Sequence, residues 1–207
     1  MSKKSYLGKG ITVEFDGARC IHARRCVLGL PGVFQPGVPG DWVNPDGAPA
    51  DEIAALIRQC PSGALSFTRD AAGEATPTRN VVRLQENGPL EVHADLTLDG
   101  ETAPSRRVLC RCGASKRKPY CDGSHKAEGF KATGEPAASD PVGEGGKGPL
   151  SIQSAGNGPL LVSGPVEIIA GSGRALKRTS KTALCRCGAS KNKPYCDGSH
   201  FAIGFES

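Results

Sequence analysis

A seventeen-residue segment occurs twice in this chain, and it constrains the fold more than any other feature. Residues 109–125 read LCRCGASKRKPYCDGSH and residues 184–200 read LCRCGASKNKPYCDGSH, so that sixteen of the seventeen positions agree. Flanking residues also repeat, with Asn-Gly-Pro-Leu at 87–90 and 157–160. The sequence therefore contains a duplicated unit of roughly fifty residues.

Composition divides the rest of the chain around this duplication. Residues 1–75 are unlike the repeat, residues 76–130 form the first copy and residues 148–207 form the second. The intervening segment, 131–147, is rich in Gly, Pro, Ala and charge, which predicts a linker or a long surface loop. With 28 Gly, 16 Pro and only 5% aromatic residues, the chain suits short strands and loops, and such small units usually need a staple such as a metal.

Alternating apolar residues predict strands within each copy. In the first copy these are residues 81–84 and 90–98, separated by Asn-Gly-Pro, and in the second they are residues 160–162 and 166–169. In the N-terminal part, residues 11–15 predict a further strand. The expected fold class is mostly β with small α elements.

The N-terminal part also predicts one helix. Asp51 is expected to cap it, because Ile53, Leu56, Ile57 and Cys60 then fall on one face, and Pro61 helps to end it.

Each copy carries three cysteines and one histidine at the same spacing, Cys-x-Cys, then eight residues, Cys, then three residues, His. These residues are Cys110, Cys112, Cys121 and His125, and Cys185, Cys187, Cys196 and His200. Sites rich in thiolates select iron–sulfur clusters or zinc, and zinc sites more often use Cys-x-x-Cys. The Cys-x-Cys pair suits two ligands on one iron, which leaves the third Cys and the His for a second iron.

Cysteine count and targeting signals favour a reducing compartment. Nine cysteines cannot all pair as disulfides within the chain, so we interpret them as ligands. No apolar run approaches the ~20 residues of a membrane helix, and the N-terminal residues lack the apolar stretch of a signal peptide. We therefore expect a cytoplasmic protein that does not associate with membranes.

The repeated motif resembles that of the CDGSH iron–sulfur family, also called NEET. The resemblance implies a [2Fe–2S] cluster in each copy, with the first two Cys on one iron and the third Cys and the His on the other. It also implies a mostly β fold in which two cluster-binding units pack about a two-fold axis. Because this chain holds both units, we expect a monomer that forms the pseudo-dimer internally, with strands exchanged between copies.

The expected chemistry is that of a carrier rather than an enzyme, because the protein supplies all four ligands. Electron uptake makes each site more negative, and the His ligand can respond by taking a proton on its free ring nitrogen. We expect transfer of electrons or whole clusters to a redox or cluster-acceptor protein. A zinc-binding interaction module, and a redox or iron sensor acting through a partner, are the alternatives.

Basic residues in both loops suggest an acidic partner, unless they form only a solvated basic surface. They are Arg111, Lys116, Arg117 and Lys118 in the first loop and Arg186, Lys191 and Lys193 in the second. A nucleic-acid partner is not expected, because the isoelectric point is only about 8.7 and Tyr120 and Tyr195 are the only stacking candidates nearby.

The N-terminal segment resembles a divergent single-cluster ferredoxin. Its cysteines are Cys20, Cys26 and Cys60, and the Cys60-Pro61 pair resembles the end of a bacterial ferredoxin motif. The close Cys-x2-Cys-x2-Cys run is absent. Either a fourth ligand comes from elsewhere, with His22 the nearest candidate, or the cluster is three-iron, labile or missing. We therefore consider a third cluster of the [3Fe–4S] or [4Fe–4S] type, with Cys60 as a core residue the competing interpretation.

Overall fold

The structure is a computed structural model that describes residues 3–70, 72–137 and 147–207. The chain divides into two compact units, Met1–Ala75 and Thr76–Ser207. Short strands dominate both units and the helices are small, so the prediction of a mostly β fold with small α elements is confirmed.

The N-terminal unit is an antiparallel three-stranded sheet with two short helices. Its elements are β1 Lys3–Gly8, β2 Ile11–Asp16, α1 Arg25–Gly29, α2 Ala50–Ile57 and β3 Leu65–Thr68, with β2 in the centre of the sheet. Alternation along β2 buries Ile11 and Val13 against Ile53 and Ile57 of α2, and this packing forms the core.

Two details of the predicted helix are wrong. Pro49, not Asp51, is the residue at the N-cap, and Asp51 lies in the first turn. Proline is favoured at helix starts because the first N–H groups have no partner within the helix. The helix ends at Ile57, so Cys60 lies beyond it in a turn.

The second unit contains both copies of the repeat. The first copy supplies β4 Val81–Leu84, β5 Leu90–His93, β6 Leu96–Leu98, β7 Glu101–Ala103 and β8 Arg106–Leu109. The second copy supplies β9 Leu150–Ser154, β10 Leu160–Ile169, β11 Ala175–Leu184 and the short helix α3 Ser199–Ala202.

The two copies exchange strands. In the first copy β4, β5 and β8 pair antiparallel, whereas β6 leaves them and pairs parallel with β9 of the second copy. Strand β10 crosses in the opposite direction. Its first half pairs antiparallel with β9 of its own copy, and its second half pairs parallel with β4 of the first copy. The exchange expected from the duplication is therefore present, and both copies share one apolar core.

The strand exchange between the copies explains why some observed strands have bounds that differ from the predicted ones. Residues 90–98 form two strands, β5 and β6, because the chain turns at Ala94 and Asp95 to cross into the other half. Residues 160–169 form one strand with an irregularity between Ser163 and Val166.

The buried Asn80 holds this crossing. Its amide donates to the carbonyls of Gly148 and Pro165, each at 2.8 Å, and its Oδ1 accepts from the N–H of Asp95 at 3.0 Å. One side chain thereby joins the two copies at the point where their strands change partners.

The predicted linker 131–147 lies partly outside the described residues. Its first part, residues 131–137, is bound to the first copy: Ala132 exchanges two hydrogen bonds with Asn87, and the N–H of Gly134 donates to Glu86 at 2.6 Å. This part of the segment is therefore an edge of the folded unit rather than a free connection.

Candidate metal centre

Each ligand loop begins where a strand ends and folds back on that strand. In the first copy the N–H of Cys110 donates to the carbonyl of Pro119, and the N–H of Cys121 donates to the carbonyl of Val108. The second copy repeats both bonds, from Cys185 to Pro194 and from Cys196 to Ala183. These bonds hold the Cys-x-Cys segment beside the third cysteine. The peptide bonds before Pro119 and Pro194 are both cis.

The four predicted ligands of each loop come together as two pairs. The Sγ atoms of Cys110 and Cys112 are 3.7 Å apart, and Cys121 Sγ lies 3.5 Å from His125 Nδ1. The second copy has nearly the same values, 3.8 Å between Cys185 and Cys187 and 3.5 Å between Cys196 and His200. In both copies Nδ1 faces the cysteine, which leaves Nε2 as the free ring nitrogen.

The distance within each pair fits two ligands of one metal ion. A tetrahedral ion with metal–sulfur bonds of about 2.3 Å has sulfurs about 3.8 Å apart, so each pair matches two ligands of one ion. Within residues 3–70, 72–137 and 147–207, no group of three or more His, Cys, Asp and Glu side chains is close enough to hold a single ion. Each copy therefore presents two pairs of donors, and each pair has the spacing of two ligands on one ion.

Burial and hydrogen bonding shift the pKa values of the ligand thiols. The hydrogen bond between Cys110 and Cys112 lowers the pKa of Cys110 and raises the pKa of Cys112. Burial raises the pKa of Cys121 to about 11. A metal cation replaces the thiol protons when it binds. Its positive charge then compensates the negative charge of the buried thiolates.

An aspartate in each motif joins the two halves of the loop. Oδ2 of Asp122 accepts from the N–H of Lys116, while Oδ1 accepts from the N–H and hydroxyl of Ser124. Burial opposes ionisation of this carboxyl, but the hydrogen bonds outweigh it and lower the pKa of Asp122 to about 2. Asp197 makes the equivalent bonds in the second copy. Each aspartate therefore fixes the cysteine pair relative to the Cys–His pair.

The two loops touch each other through glycine. A Cβ on Gly113 would lie 2.5 Å from the carbonyl oxygen of Cys187, and one on Gly188 would lie 2.4 Å from that of Cys112. Both glycines also have positive φ, 85° and 82°. The two candidate centres are thus neighbours, joined at the second cysteine of each motif.

In the N-terminal unit, the three cysteines and His22 line one cavity of about 390 Å³. His22 and Arg24 both have positive φ, 53° and 63°, so the chain between Cys20 and Cys26 curls around this cavity. Burial raises the pKa of Cys20 and of Cys26, and each of these thiols also interacts electrostatically with Cys60. The structure therefore places together the residues predicted from the ferredoxin resemblance.

Comparison with known proteins agrees with these centres. The family profile described as iron-binding zinc finger, CDGSH type, matches residues 87–126 and 157–201, and the profile described as divergent 4Fe-4S mono-cluster matches residues 6–70. CDGSH iron-sulfur domain-containing protein 1 of Rattus norvegicus is 36% identical over 64 residues, which is 30% of this chain and 56% of that protein.

A further relative is the uncharacterized protein YjdI of Escherichia coli (strain K12). It is 34% identical over 64 residues, which is 31% of this chain and 83% of the relative. This chain belongs to the CDGSH iron–sulfur family. It is an iron–sulfur protein with tandem CDGSH motifs and a divergent ferredoxin-type unit before them. No solved structure matches it.

Two of the basic residues predicted to face a partner do not. Arg111 is 1% exposed and donates to the carbonyls of Gln85, Gly88, Ala132 and Thr133. Arg186 is also buried and donates to Ala155, Gly158 and the hydroxyl of Ser207. Their position on the inner side of the loop, where main-chain carbonyls converge, turns both into structural anchors. Lys116, Arg117 and Lys191 are exposed, and Lys118 and Lys193 are half-buried.

The motif serines also have a structural role. The hydroxyls of Ser115 and Ser190 donate to the carbonyls of Tyr120 and Tyr195, at 2.6 and 2.7 Å. The donors that do reach ligand sulfurs are main-chain groups, Gly123 N–H to Cys121 at 3.4 Å and Gly198 N–H to Cys196 at 3.5 Å.

Lys126 and Phe201, the residues that follow the histidines, were not among the predicted site residues. A signal was present, because the repeat stops at the histidine and the next residue is a charge in one copy and an aromatic ring in the other.

Among the residues that the structure describes, none forms a helix with the length and apolar character of a membrane span.

Proposed function

We propose that the protein carries a [2Fe–2S] cluster in each CDGSH copy and transfers electrons or clusters to a redox or acceptor protein. Each iron would take one of the two ligand pairs. The observation that carries this proposal is the arrangement of the ligands as two pairs per copy, each at the spacing of one tetrahedral ion.

The arrangement favours a carrier over a catalyst. A bound cluster supplies one-electron chemistry, and four protein ligands complete the coordination of both irons. Cys110, Cys112 and Cys121 would supply the negative charge, and His125 would bind through Nδ1. Its Nε2 then remains for a proton, which would couple electron uptake to pH.

The contact between the loops favours electron exchange between the two sites. The carbonyls of Cys112 and Cys187 lie against Gly188 and Gly113. Each buried guanidinium also interacts electrostatically with the first cysteine of the other copy, Arg111 with Cys185 and Arg186 with Cys110. These fixed positive charges would stabilise added electrons at both sites.

We further propose a third cluster in the N-terminal unit, held by Cys20, Cys26 and Cys60. With three cysteines it would be a [3Fe–4S] cluster, or a [4Fe–4S] cluster whose fourth iron takes His22 or another ligand. The cavity that these residues line is the supporting observation. Because the ligands are thiols, the protein would act in a reducing compartment such as the cytoplasm.

The test is a count of iron, acid-labile sulfide and zinc per chain after anaerobic purification. About four irons and four sulfides would mean two [2Fe–2S] clusters, and about seven or eight irons would add a three- or four-iron cluster. A Cys112→Ser, Cys187→Ser chain should lose the first four irons, and a Cys20→Ser chain should lose only the remainder. About two zinc ions per chain without sulfide would overturn the proposal.

Transfer is then measured separately. The reduced protein is mixed with an oxidised ferredoxin to follow electrons, and the oxidised protein is mixed with an apo-ferredoxin to follow clusters. Failure of both would leave the cluster count intact and remove the carrier role.

A further inference from the structure

The two CDGSH loops are almost identical in sequence, but the surroundings of their histidines differ. Lys126 follows His125, whereas Phe201 follows His200. The histidine is the one ligand of each set that is not a thiol, and its exposure differs between the copies, because His125 is half-buried and His200 is buried. The residue beside the histidine therefore bears on access to that ligand.

In the second copy the histidine is covered. The ring of Phe201 lies 4.1 Å from the imidazole of His200, tilted by 38°, and only 8% of His200 is exposed. Phe201 is itself 83% exposed, so an exposed ring packs against this histidine. Phe205 lies 5.5 Å from the guanidinium of Arg186, as Phe130 lies 5.6 Å from that of Arg111 in the first copy.

In the first copy the histidine borders open space. His125 is half-buried, and it lines a shallow depression of about 440 Å³ together with Glu86, Asn87, Lys126 and Lys131. Lys126 is exposed, and Phe130, the counterpart of Phe205, is only half-buried. Phe130 also lines this depression, but the residue that follows His125 is a lysine and not an aromatic ring as in the second copy.

We propose that the first CDGSH site releases its cluster more readily than the second, and that Lys126 and Phe201 set this difference. The inference rests on the proposed function, because it assumes a cluster in each copy. The first site would then deliver the cluster while the second retains its own. Aromatic contacts of this kind predict a release rate about threefold to tenfold faster at the first site.

Delivery to an acceptor with four thiols is a ligand exchange without electron transfer. Four acceptor sulfur–iron bonds form as the bonds to Cys110, Cys112, Cys121 and His125 break. The four acceptor protons pass to the three cysteines and to the imidazole, and the iron and sulfide of the core move unchanged.

The experiment exchanges the two residues. Loaded full-length protein is treated with EDTA and the loss of visible absorbance is followed in the wild type, in Lys126→Phe, in Phe201→Lys and in the double exchange. Both positions are exposed, so neither substitution disturbs a core. The wild type should show two phases of equal amplitude. Lys126→Phe should slow the fast phase, and Phe201→Lys should accelerate the slow one.

A second readout assigns the phases. Diethyl pyrocarbonate modifies accessible imidazole nitrogens, and mass spectrometry locates the adduct. His125 should react before His200 in the loaded wild type, and the double exchange should reverse that order. Equal release rates in the wild type, or phases that do not respond to the exchanges, would overturn the inference.

The same variants separate this inference from the proposed function. Mixed with an apo-ferredoxin that has four cysteine ligands, the wild type should transfer one cluster rapidly and Phe201→Lys should transfer two. If no cluster reaches the acceptor while the EDTA phases still follow the exchanges, cluster transfer is wrong and the difference between the sites stands. If the chain holds no iron or sulfide, the proposed function fails and the inference fails with it.

Discussion

The two CDGSH copies differ mainly outside their motifs. Within the motifs the ligand pairs have nearly equal separations, and each aspartate makes the same bonds. The buried arginines share equivalent partners in one turn, Gln85 and Gly88 or Ala155 and Gly158, but differ in the others, and His200 is buried while His125 is half-buried. Ligand geometry is thus a local property of seventeen residues, whereas access and stability depend on residues that the duplication did not preserve.

The largest loss of stability is expected at Gly113 and Gly188, which make the same contact in both copies. In Gly113→Ala and Gly188→Ala, the new Cβ would lie within 2.5 Å of a main-chain oxygen of the other loop, and the residue would keep a positive φ. Left-handed backbone and overpacking together should cost about 2–5 kcal/mol in either variant. The measurement is the free energy of unfolding, with cluster content.

The matched control is Gly100→Ala. Gly100 also has a positive φ, 87°, but nothing lies within 4 Å of its Cβ position. It should lose only the backbone share, about 1–2 kcal/mol. If all three variants lose the same amount, the contact between the loops does not contribute.

A smaller effect should separate the copies. Arg111→Ala leaves four main-chain carbonyls without their donor, whereas Arg186→Ala leaves two carbonyls and one hydroxyl. Bonds from a charged donor contribute about 1.5–3 kcal/mol, so the first variant should lose about 3 kcal/mol and the second about 2 kcal/mol.

Chemical unfolding of the two arginine variants measures this difference in the free energy of unfolding. The rate of iron loss from each site is a second measurement. A greater loss in Arg186→Ala than in Arg111→Ala would contradict the reading of these residues as anchors of unequal strength.

Much of the fold and the ligand set could be predicted because they depend on local patterns. Alternation located β2 and β4, and the spacing of Cys and His identified the residues that the structure brings into pairs. The roles of Arg111 and Arg186 could not be predicted in this way. A basic residue within a charged motif indicates a solvated surface, and only the packed fold shows that acceptor oxygens from two segments converge on each arginine.

The strand exchange was harder to predict in detail. Residues 90–98 alternate without interruption, so the sequence indicates one strand. The break at Ala94 and Asp95 depends on pairing with β9, which lies more than fifty residues later in the chain. Non-local pairing of this kind leaves no periodic signal, and Asn80 does not stand out in the sequence although it is central to the crossing.

The next loss of stability in order of size is expected at Asn80, where the strands of the two copies cross. Asn80 has no counterpart in the second copy, where Leu150 occupies the equivalent position. In Asn80→Leu, two buried carbonyls and one N–H would lose their partner, which should cost about 2 kcal/mol in the free energy of unfolding.

The control for this variant is Asn192→Arg, which makes the two motifs identical at an exposed position. It should leave stability within about 0.5 kcal/mol of the wild type. Equal stability of the wild type and Asn80→Leu would show that the crossing does not need the amide.

The smallest expected effect concerns pH. Burial, together with the charge of Lys126, lowers the pKa of His125, so this imidazole is neutral near pH 7 before any electron arrives. Added negative charge favours protonation of Nε2, so the reduction potential should rise as pH falls, by at most about 59 mV per pH unit for one electron and one proton.

Redox titration between pH 6 and pH 8, followed by electron paramagnetic resonance, measures this slope. His125→Cys should flatten the response of the first site, because a cysteine ligand has no ring nitrogen to take a proton. Asn192→Arg is the control and should leave the slope as it is. A potential that does not change with pH in the wild type would contradict the prediction.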